Sequence, residues 1–501
     1  MATKEILSSA EALLGVAADA TTTPAGMETV MMPVGVPGYT LRQESRTVPA
    51  TEPPVLPVNA DLQYIGKSPQ RWDAQAKVSG SGRYTADIQL PGMLYAKFVN
   101  ASIPHAKIIS IDTSAAEKVP GVKGVYVIER VLGPAVLRNP GLEVSRYPIV
   151  RYAGQPIAAV AATLPHIAEE AALLVKVQYD PKPFVVDMDQ ARQPDSAQVF
   201  PGPADQAGSA GGGGGPHGVP QTGNVHGPSV HSKGDFEQGF KDADVVVESR
   251  YTTQVQTHSA LETHGVVADW KPDLLTVWAS TQGTASVREE LAGFFKLPKS
   301  QVRVITEFVG GGFGAKFGPG NPGVVAVALS KQTGAPVRLM LNREEEHLSV
   351  GNRPSSDQTL KIGAKKDGTI TAIQLISYGT AGCGTGAGCA GPAANLYTWG
   401  ALNTQENDVF INAGPASAFR APGHPQGVFA LEQTIDELAE KLNMEPLELR
   451  DKLTRIPCVA SSDRLLVRAP SGSPATPGRM RTQDRSSVAW ACRNRSGTAI
   501  S

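Results

Sequence analysis

Three short stretches of the 501-residue chain carry residue types suited to gripping a ligand. The densest is Val309-Gly310-Gly311-Gly312-Phe313-Gly314-Ala315-Lys316. Without Cβ atoms, its backbone N–H groups can approach an anion or a ligand oxygen closely. The second is Ser280-Thr281-Gln282-Gly283-Thr284, where a strand ends and a helix begins. There the carboxamide of Gln282 can donate to a ligand oxygen, although taken alone this is an ordinary helix start. The third is Ala418-Phe419-Arg420-Ala421-Pro422-Gly423, an Arg on a rigid Pro-Gly turn ahead of a helix. Such an Arg suits an anionic ligand, and a plain surface turn is the alternative reading.

Two nucleotide-binding readings of the glycine run compete with a simple tight turn. A phosphate-binding loop needs Gly-Lys-Ser/Thr, and Ala315-Lys316-Phe317 stands there instead, so the match fails. A dinucleotide fingerprint can be drawn through Gly310, Gly312 and Ala315, but it requires a helix to open at once. Gly318-Pro319-Gly320-Asn321-Pro322 delays that helix. Weaker clusters are read as structural. His258, Glu262 and His264 alternate as on one strand face, where metal ligation is the sharper reading and satisfied polar residues the plainer one. Glu344-Glu345-Glu346-His347 reads as a solvated helix face.

Composition excludes several classes. The net charge of −1 rules out a strongly basic nucleic-acid surface. The four cysteines, Cys383, Cys389, Cys458 and Cys492, exclude a disulfide-dense scaffold. None forms Cys-x-x-Cys, so neither a zinc ribbon nor an iron–sulfur cluster is expected. No apolar run reaches the roughly 18 residues of a membrane span. A cytoplasmic protein is expected, or a periplasmic one carried by a partner subunit.

The positioning elements follow from pattern. Residues 1–60 lack periodicity and read as a tail or linker, with one short helix at 4–14. Across 61–190, strands at 93–100, 107–112, 124–128, 156–162 and 175–179 alternate with helices at 113–118 and 164–174, a mixed α/β domain. Residues 191–234, with five consecutive glycines at 211–215, read as a flexible linker. Across 235–453, strands are expected at 244–256, 274–280, 301–308, 337–341, 359–365 and 369–378. Helices are expected at 282–297, 323–333, 428–442 and 446–453. Leu431, Ile435, Leu438 and Leu442 share one face of the third of these.

These motifs occur in an order that resembles the molybdopterin-binding large subunit of the xanthine dehydrogenase/aldehyde oxidase family. The resemblance begins with Gly66-Lys67-Ser68, Arg71-Trp72-Asp73-Ala74, Lys77-Val78-Ser79-Gly80, Arg83-Tyr84-Thr85-Ala86-Asp87 and Leu90-Pro91-Gly92-Met93-Leu94-Tyr95. It continues through Ser280-Thr281-Gln282, Gly310-Gly311-Gly312-Phe313-Gly314, Ala418-Phe419-Arg420-Ala421-Pro422-Gly423 and the helix around Leu431-Glu432-Gln433-Thr434-Ile435. It implies an α+β fold, with an α/β hammerhead domain followed by the first molybdenum-cofactor-binding domain. It also implies that Gln282, Gly311, Gly312, Phe313, Gly314 and Arg420 line the cofactor, and that no protein atom ligates the metal. The implied reaction is hydroxylation of an aldehyde or N-heterocycle carbon with water as oxygen source. The implied cofactor is molybdenum–molybdopterin, as the cytosine dinucleotide in bacterial-type members. Separate subunits holding iron–sulfur clusters and FAD are the implied partners.

There are two departures. Several members carry Glu after the Gly-Lys, where this chain has Phe317, so an aldehyde is expected rather than a purine. Residues 454–501 match nothing in the family. The stretch from 455 holds eight Arg and no Lys, and reads as a disordered tail or, more readily, as a coding frame out of register. The family's second cofactor-binding domain and its general-base Glu are therefore expected to be missing, and this chemistry needs a base within hydrogen-bond reach. A non-catalytic subunit or remnant that binds iron–sulfur and flavin partners is the alternative expectation.

Overall fold

A computed structural model of the protein describes residues 26–34, 42–50, 62–65, 67–129, 146–200 and 219–453. The expected helix at 4–14, the five glycines and the 454–501 tail lie outside the described residues. The chain divides into two units after Ser81.

In the first unit, Met27–Val34 pairs antiparallel with Arg42–Pro49, and a short helix spans Ala74–Val78. A hairpin thus occupies part of the stretch expected to be a tail. Most side chains of Arg42–Pro49 face water, so no alternation marked the strand.

The second unit is built on two large sheets. Seven strands lie in the order Val302–Ile305, Leu275–Ala279, Gly265–Trp270, Val337–Met340, Leu94–Asn100, Pro156–Ala162 and Val122–Val127. The strand Pro156–Ala162 is buried along its whole length, as the run Pro-Ile-Ala-Ala-Val-Ala-Ala requires. Helices Gly320–Thr333 and Thr284–Phe295 cover the sheet, and Val325, Leu329, Val287 and Leu291 pack with Val266, Leu275, Val277 and Leu339. This sheet crosses the boundary drawn from sequence. Val337–Met340 pairs parallel with Leu94–Asn100, so the stretches expected as separate domains share one sheet. No local signal could show this, since the partner strands are far apart in the chain.

Six strands form the other sheet, in the order Val245–Thr253, Ser356–Ala364, Ile370–Gly382, Leu402–Phe410, Val225–Lys233 and Gln221–Thr222. Helix His424–Lys441 lies on it through Leu431, Ile435 and Leu438, against Leu360, Ile362 and Leu375. Val225–Lys233 falls within the expected linker. Gly227-Pro228 lies where the register shifts, and a shift is where a ladder tolerates Pro. Leu402–Phe410 also escaped pattern reading, because Asn403, Thr404 and Asn407 are buried polar residues. Asn407 offsets its desolvation by donating from Nδ2 to the carbonyl of Ser377 at 3.1 Å.

Candidate functional site

Two adjacent parallel strands set up the site. Leu275–Ala279 and Val302–Ile305 run side by side, so the loops leaving their C-terminal ends are neighbours. The first loop carries Gln282 and the second the glycines. The N–H of Gln282 donates to the carbonyl of Lys316 at 2.7 Å, as does the hydroxyl of Thr281 at 2.8 Å. Gln282 Oε1 accepts from the amides of Gly314 at 2.8 Å and Lys316 at 3.4 Å. Those donors fix the carboxamide's orientation, so its Nε2 is turned away from them, on a side chain exposed to solvent. Gly312 is required here, since a Cβ on it would sit 2.4 Å from Gln282 Oε1.

The Arg turn closes against the glycine loop. The N–H of Arg420 donates to the carbonyl of Phe313 at 2.6 Å. Gly314 has φ +112°, and a Cβ there would meet the carbonyl oxygen of Ala418 at 2.4 Å. His258 Nε2 donates to that same carbonyl at 2.7 Å. Arg353 donates from Nη2 to the carbonyl of Arg420 at 2.6 Å and from Nη1 to that of Ala421 at 3.2 Å. The ring of Phe419 lies 4.6 Å from His258, 4.5 Å from the Arg353 guanidinium and 6.3 Å from Phe313, centre to centre for the rings. Burial lowers the proton affinity of both His258 and Arg353.

Beneath the glycine loop lies a set of charges that sequence reading assigned elsewhere. Glu262 accepts from the amide of Gly310 at 2.7 Å and from that of Thr85 at 3.2 Å. Lys316 is fully buried and donates to the carbonyl of Glu262 at 2.6 Å and the hydroxyl of Ser280 at 2.8 Å. Burial pushes its ammonium below the usual lysine range. His264 Nδ1 donates to Glu346 at 2.9 Å, and its Nε2 lies 3.2 Å from the carbonyl of Ala315. Burial raises the Glu346 carboxyl, but the hydrogen bonds and charge of His264 outweigh it and hold the group below the ordinary range.

Two readings need correction. His258, Glu262 and His264 precede the strand Gly265–Trp270 in a loop rather than sharing a strand face. Each anchors a different part of the site, and among the described residues no three His, Cys, Asp or Glu are grouped to hold a metal ion. The expected solvated face of 344–347 buries Glu345 and Glu346. Glu345 caps its own helix through Asn342 and pairs with Lys97 at 2.8 Å.

The structure brings Gln282, Gly311, Gly312, Phe313, Gly314 and Arg420 to one place. The dinucleotide reading through Gly310 and Ala315 gains no support, because the helix opens only at Gly320. Among the described residues, the amides of Gly311, Gly312 and Phe313 donate no hydrogen bond. Behind them, His258 Nδ1 and Arg353 Nε are buried without a partner. Open amides, an outward carboxamide and orphaned polar atoms fit a group rich in oxygen and nitrogen acceptors, as a metal-carrying pterin is.

These features suit a bound cofactor, and the comparisons identify the class of protein. Residues 219–453 match the molybdopterin cofactor-binding domain. Residues 79–183 match the aldehyde oxidase and xanthine dehydrogenase a/b hammerhead domain. A probable xanthine dehydrogenase subunit from Bacillus subtilis is 33% identical over 399 residues, covering 77% of this chain and 50% of the relative. The nicotinate dehydrogenase large molybdopterin subunit of Eubacterium barkeri is 30% identical over 406 residues, covering 78% of this chain and 89% of the relative. The solved aldehyde oxidoreductase of Desulfovibrio gigas superposes with a TM-score of 0.65 at 28% identity, covering 80% of this chain and 46% of that one. The chain belongs to the molybdopterin-binding subunits of the xanthine dehydrogenase/aldehyde oxidoreductase family. It spans about half the length of several of the curated relatives it matches. Among the described residues no helix is long and apolar enough to cross a membrane.

Proposed function

We propose that this chain forms the cofactor-gripping part of an enzyme that hydroxylates aldehydes, or less readily N-heterocycles, with water as oxygen source. When bound, the molybdenum–pterin group supplies the two-electron oxidation. The chain's own residues hold and orient it. Gln282, pinned through Oε1, offers its N–H groups to the cofactor's acceptor atoms, and the amides of Gly311, Gly312 and Phe313 offer theirs. Arg420 closes the far side through its bond to Phe313. Phe317, 51% exposed next to the buried Lys316, favours a substrate of low polarity such as an aldehyde. The cytosine dinucleotide form of the cofactor, partner subunits carrying iron–sulfur clusters and FAD, and a cytoplasmic location belong to the same proposal.

The observation that carries it is the pinning of Gln282 by the amides of Gly314 and Lys316, which aims a carboxamide donor out of a loop with free amides. The test is elemental analysis for molybdenum and fluorescence assay of released pterin on the purified chain, with aldehyde oxidation followed through a dye acceptor in its full assembly. Wild-type protein is expected to carry both, and Gln282→Ala to carry less. Protein made in molybdenum-replete cells that holds neither would refute the proposal.

A further inference from the structure

Arg353 is a guanidinium only 4% exposed, and no carboxylate stands within ion-pair distance of it among the described residues. Its partners are the carbonyls of Arg420 and Ala421, the carboxamide oxygen of Gln426 and the ring of Phe419. Its Nε is buried and unpartnered. By contrast Arg450, also largely shielded from solvent, is held by Glu432 at 2.6 Å and Asp436 at 2.7 Å. A buried charge normally has such a partner, because an unpaired one is costly to desolvate. Arg353 is unpaired directly beneath the turn that bonds to Phe313, and the neighbouring amides of Gly311, Gly312 and Phe313 are also open. The unpaired guanidinium and the open amides both suit a negatively charged occupant.

We infer that Arg353 is a positioning residue that holds the Arg420 turn against the glycine loop and keeps an uncompensated positive charge there for an oxyanionic occupant. The fork of the guanidinium supplies the geometry, since one side chain reaches two successive carbonyls. The charge supplies the preference, since the intervening protein screens it less than water would. This rests on the cofactor reading only for the identity of the natural occupant; a free oxyanion shares the chemistry.

The test uses the full chain prepared without molybdenum, with inorganic pyrophosphate as probe and chloride at matched ionic strength as control. Pyrophosphate is expected to raise the wild-type melting temperature and chloride not to. In Arg353→Met the probe should bind at least about tenfold more weakly, and the unliganded melting temperature should fall as well, because the carbonyls of Arg420 and Ala421 lose their donor. Arg353→Lys, which keeps the charge but not the fork, should retain part of the probe's effect. A wild type indifferent to pyrophosphate overturns the inference. So does an Arg353→Met protein that keeps the full shift, or one that loses equal stability with and without probe, as a mere clamp would. If Arg353→Met does not fold, an Arg353→Lys protein that folds and loses the whole effect overturns it as well. Molybdenum and pterin absent from wild type grown with molybdenum, alongside an intact pyrophosphate effect, would count against the cofactor reading and leave this one standing.

Discussion

Two neighbouring glycines separate positioning of the site from stability of the fold. In Gly312→Ala the new Cβ would stand 2.4 Å from Gln282 Oε1 and 2.7 Å from its Cδ and Cγ. Carbon contacts settle near about 3.5 Å, so the carboxamide must retreat by about 1 Å. That breaks the 2.8 Å bond from the amide of Gly314. Gln282 is exposed and can swing into water, so the lost hydrogen bond costs only about 1 kcal/mol. In Gly314→Ala the Cβ would meet backbone, the Ala418 oxygen at 2.4 Å and its carbonyl carbon at 2.8 Å, at φ +112°. Backbone cannot swing away, and the strained φ alone costs about 1–3 kcal/mol. With the clash added, Gly314→Ala should lose about 3 kcal/mol or more. Urea unfolding read at constant m-value gives both numbers. The decisive contrast is in bound molybdenum and pterin: Gly312→Ala should fold nearly normally yet lose most of its cofactor, because the donor it displaces is the one aimed at the ligand. Full cofactor content in Gly312→Ala, or equal destabilisation of the two variants, would refute the reasoning.

Three further outcomes are expected. Lys316→Met removes charged hydrogen bonds to the carbonyl of Glu262 and the hydroxyl of Ser280, and should cost about 3 kcal/mol in the same unfolding assay; a loss under about 1 kcal/mol would show that the ammonium does not anchor the loop. Glu346 is held below its ordinary value of 4.5, so its contribution is present above that pH and is lost as pH falls through the lower folded value. Glu346→Gln should therefore flatten the acid limb of a stability–pH curve, and an unchanged slope below about pH 4.5 would contradict this. Burial pushes the thiols of Cys383 and Cys389 up to about 12, so neither should be alkylated at about pH 8 until the protein unfolds, as peptide mapping after iodoacetamide treatment would show.

What the sequence made legible was whatever depends on local chemistry. The strand Pro156–Ala162 and helix Pro446–Leu453 fall where apolar runs and capping signals put them. The three motifs that the fold brings together were legible because glycine, a carboxamide and an Arg before Pro-Gly state their chemistry in a few residues. What escaped was everything whose role is made by distant partners. Glu346 sits in a run of three glutamates that reads as solvated, and only the approach of His264, 82 residues away, makes it a buried anchor. Arg353 carries no local mark of burial, and only the turn 67 residues downstream covers it. Lys316 could be named only as part of a failed phosphate-loop match, because nothing local says that its ammonium points inward to Ser280. The sheet that spans both expected domains escaped for the same reason, since parallel pairing of Val337–Met340 with Leu94–Asn100 leaves no signal in either strand.

That shared sheet bears on how the site is held. Lys97 and Asn100, on the strand Leu94–Asn100, bind Glu345 at 2.8 Å and 3.2 Å. Glu345 caps the short helix Arg343–Ser349, which places Glu346 under His264, and His264 reaches the carbonyl of Ala315 at the end of the glycine loop. Thr85 adds a second route, its amide sharing the Glu262 carboxylate with Gly310. The hammerhead stretch is thus wired into the glycine loop by two chains of charge-assisted hydrogen bonds. Such bonds are roughly twice as strong as neutral ones and fix direction as well as distance. A loop rich in glycine is entropically costly to hold in one shape, and free amides are useful to a ligand only if they stay aimed. Glu262, Lys316, His264 and Glu346 meet that requirement from below, while Gln282 and Arg420 meet it from the sides. Polar residues that look wasteful in a core are, in this position, the means by which backbone donors are kept both open and still.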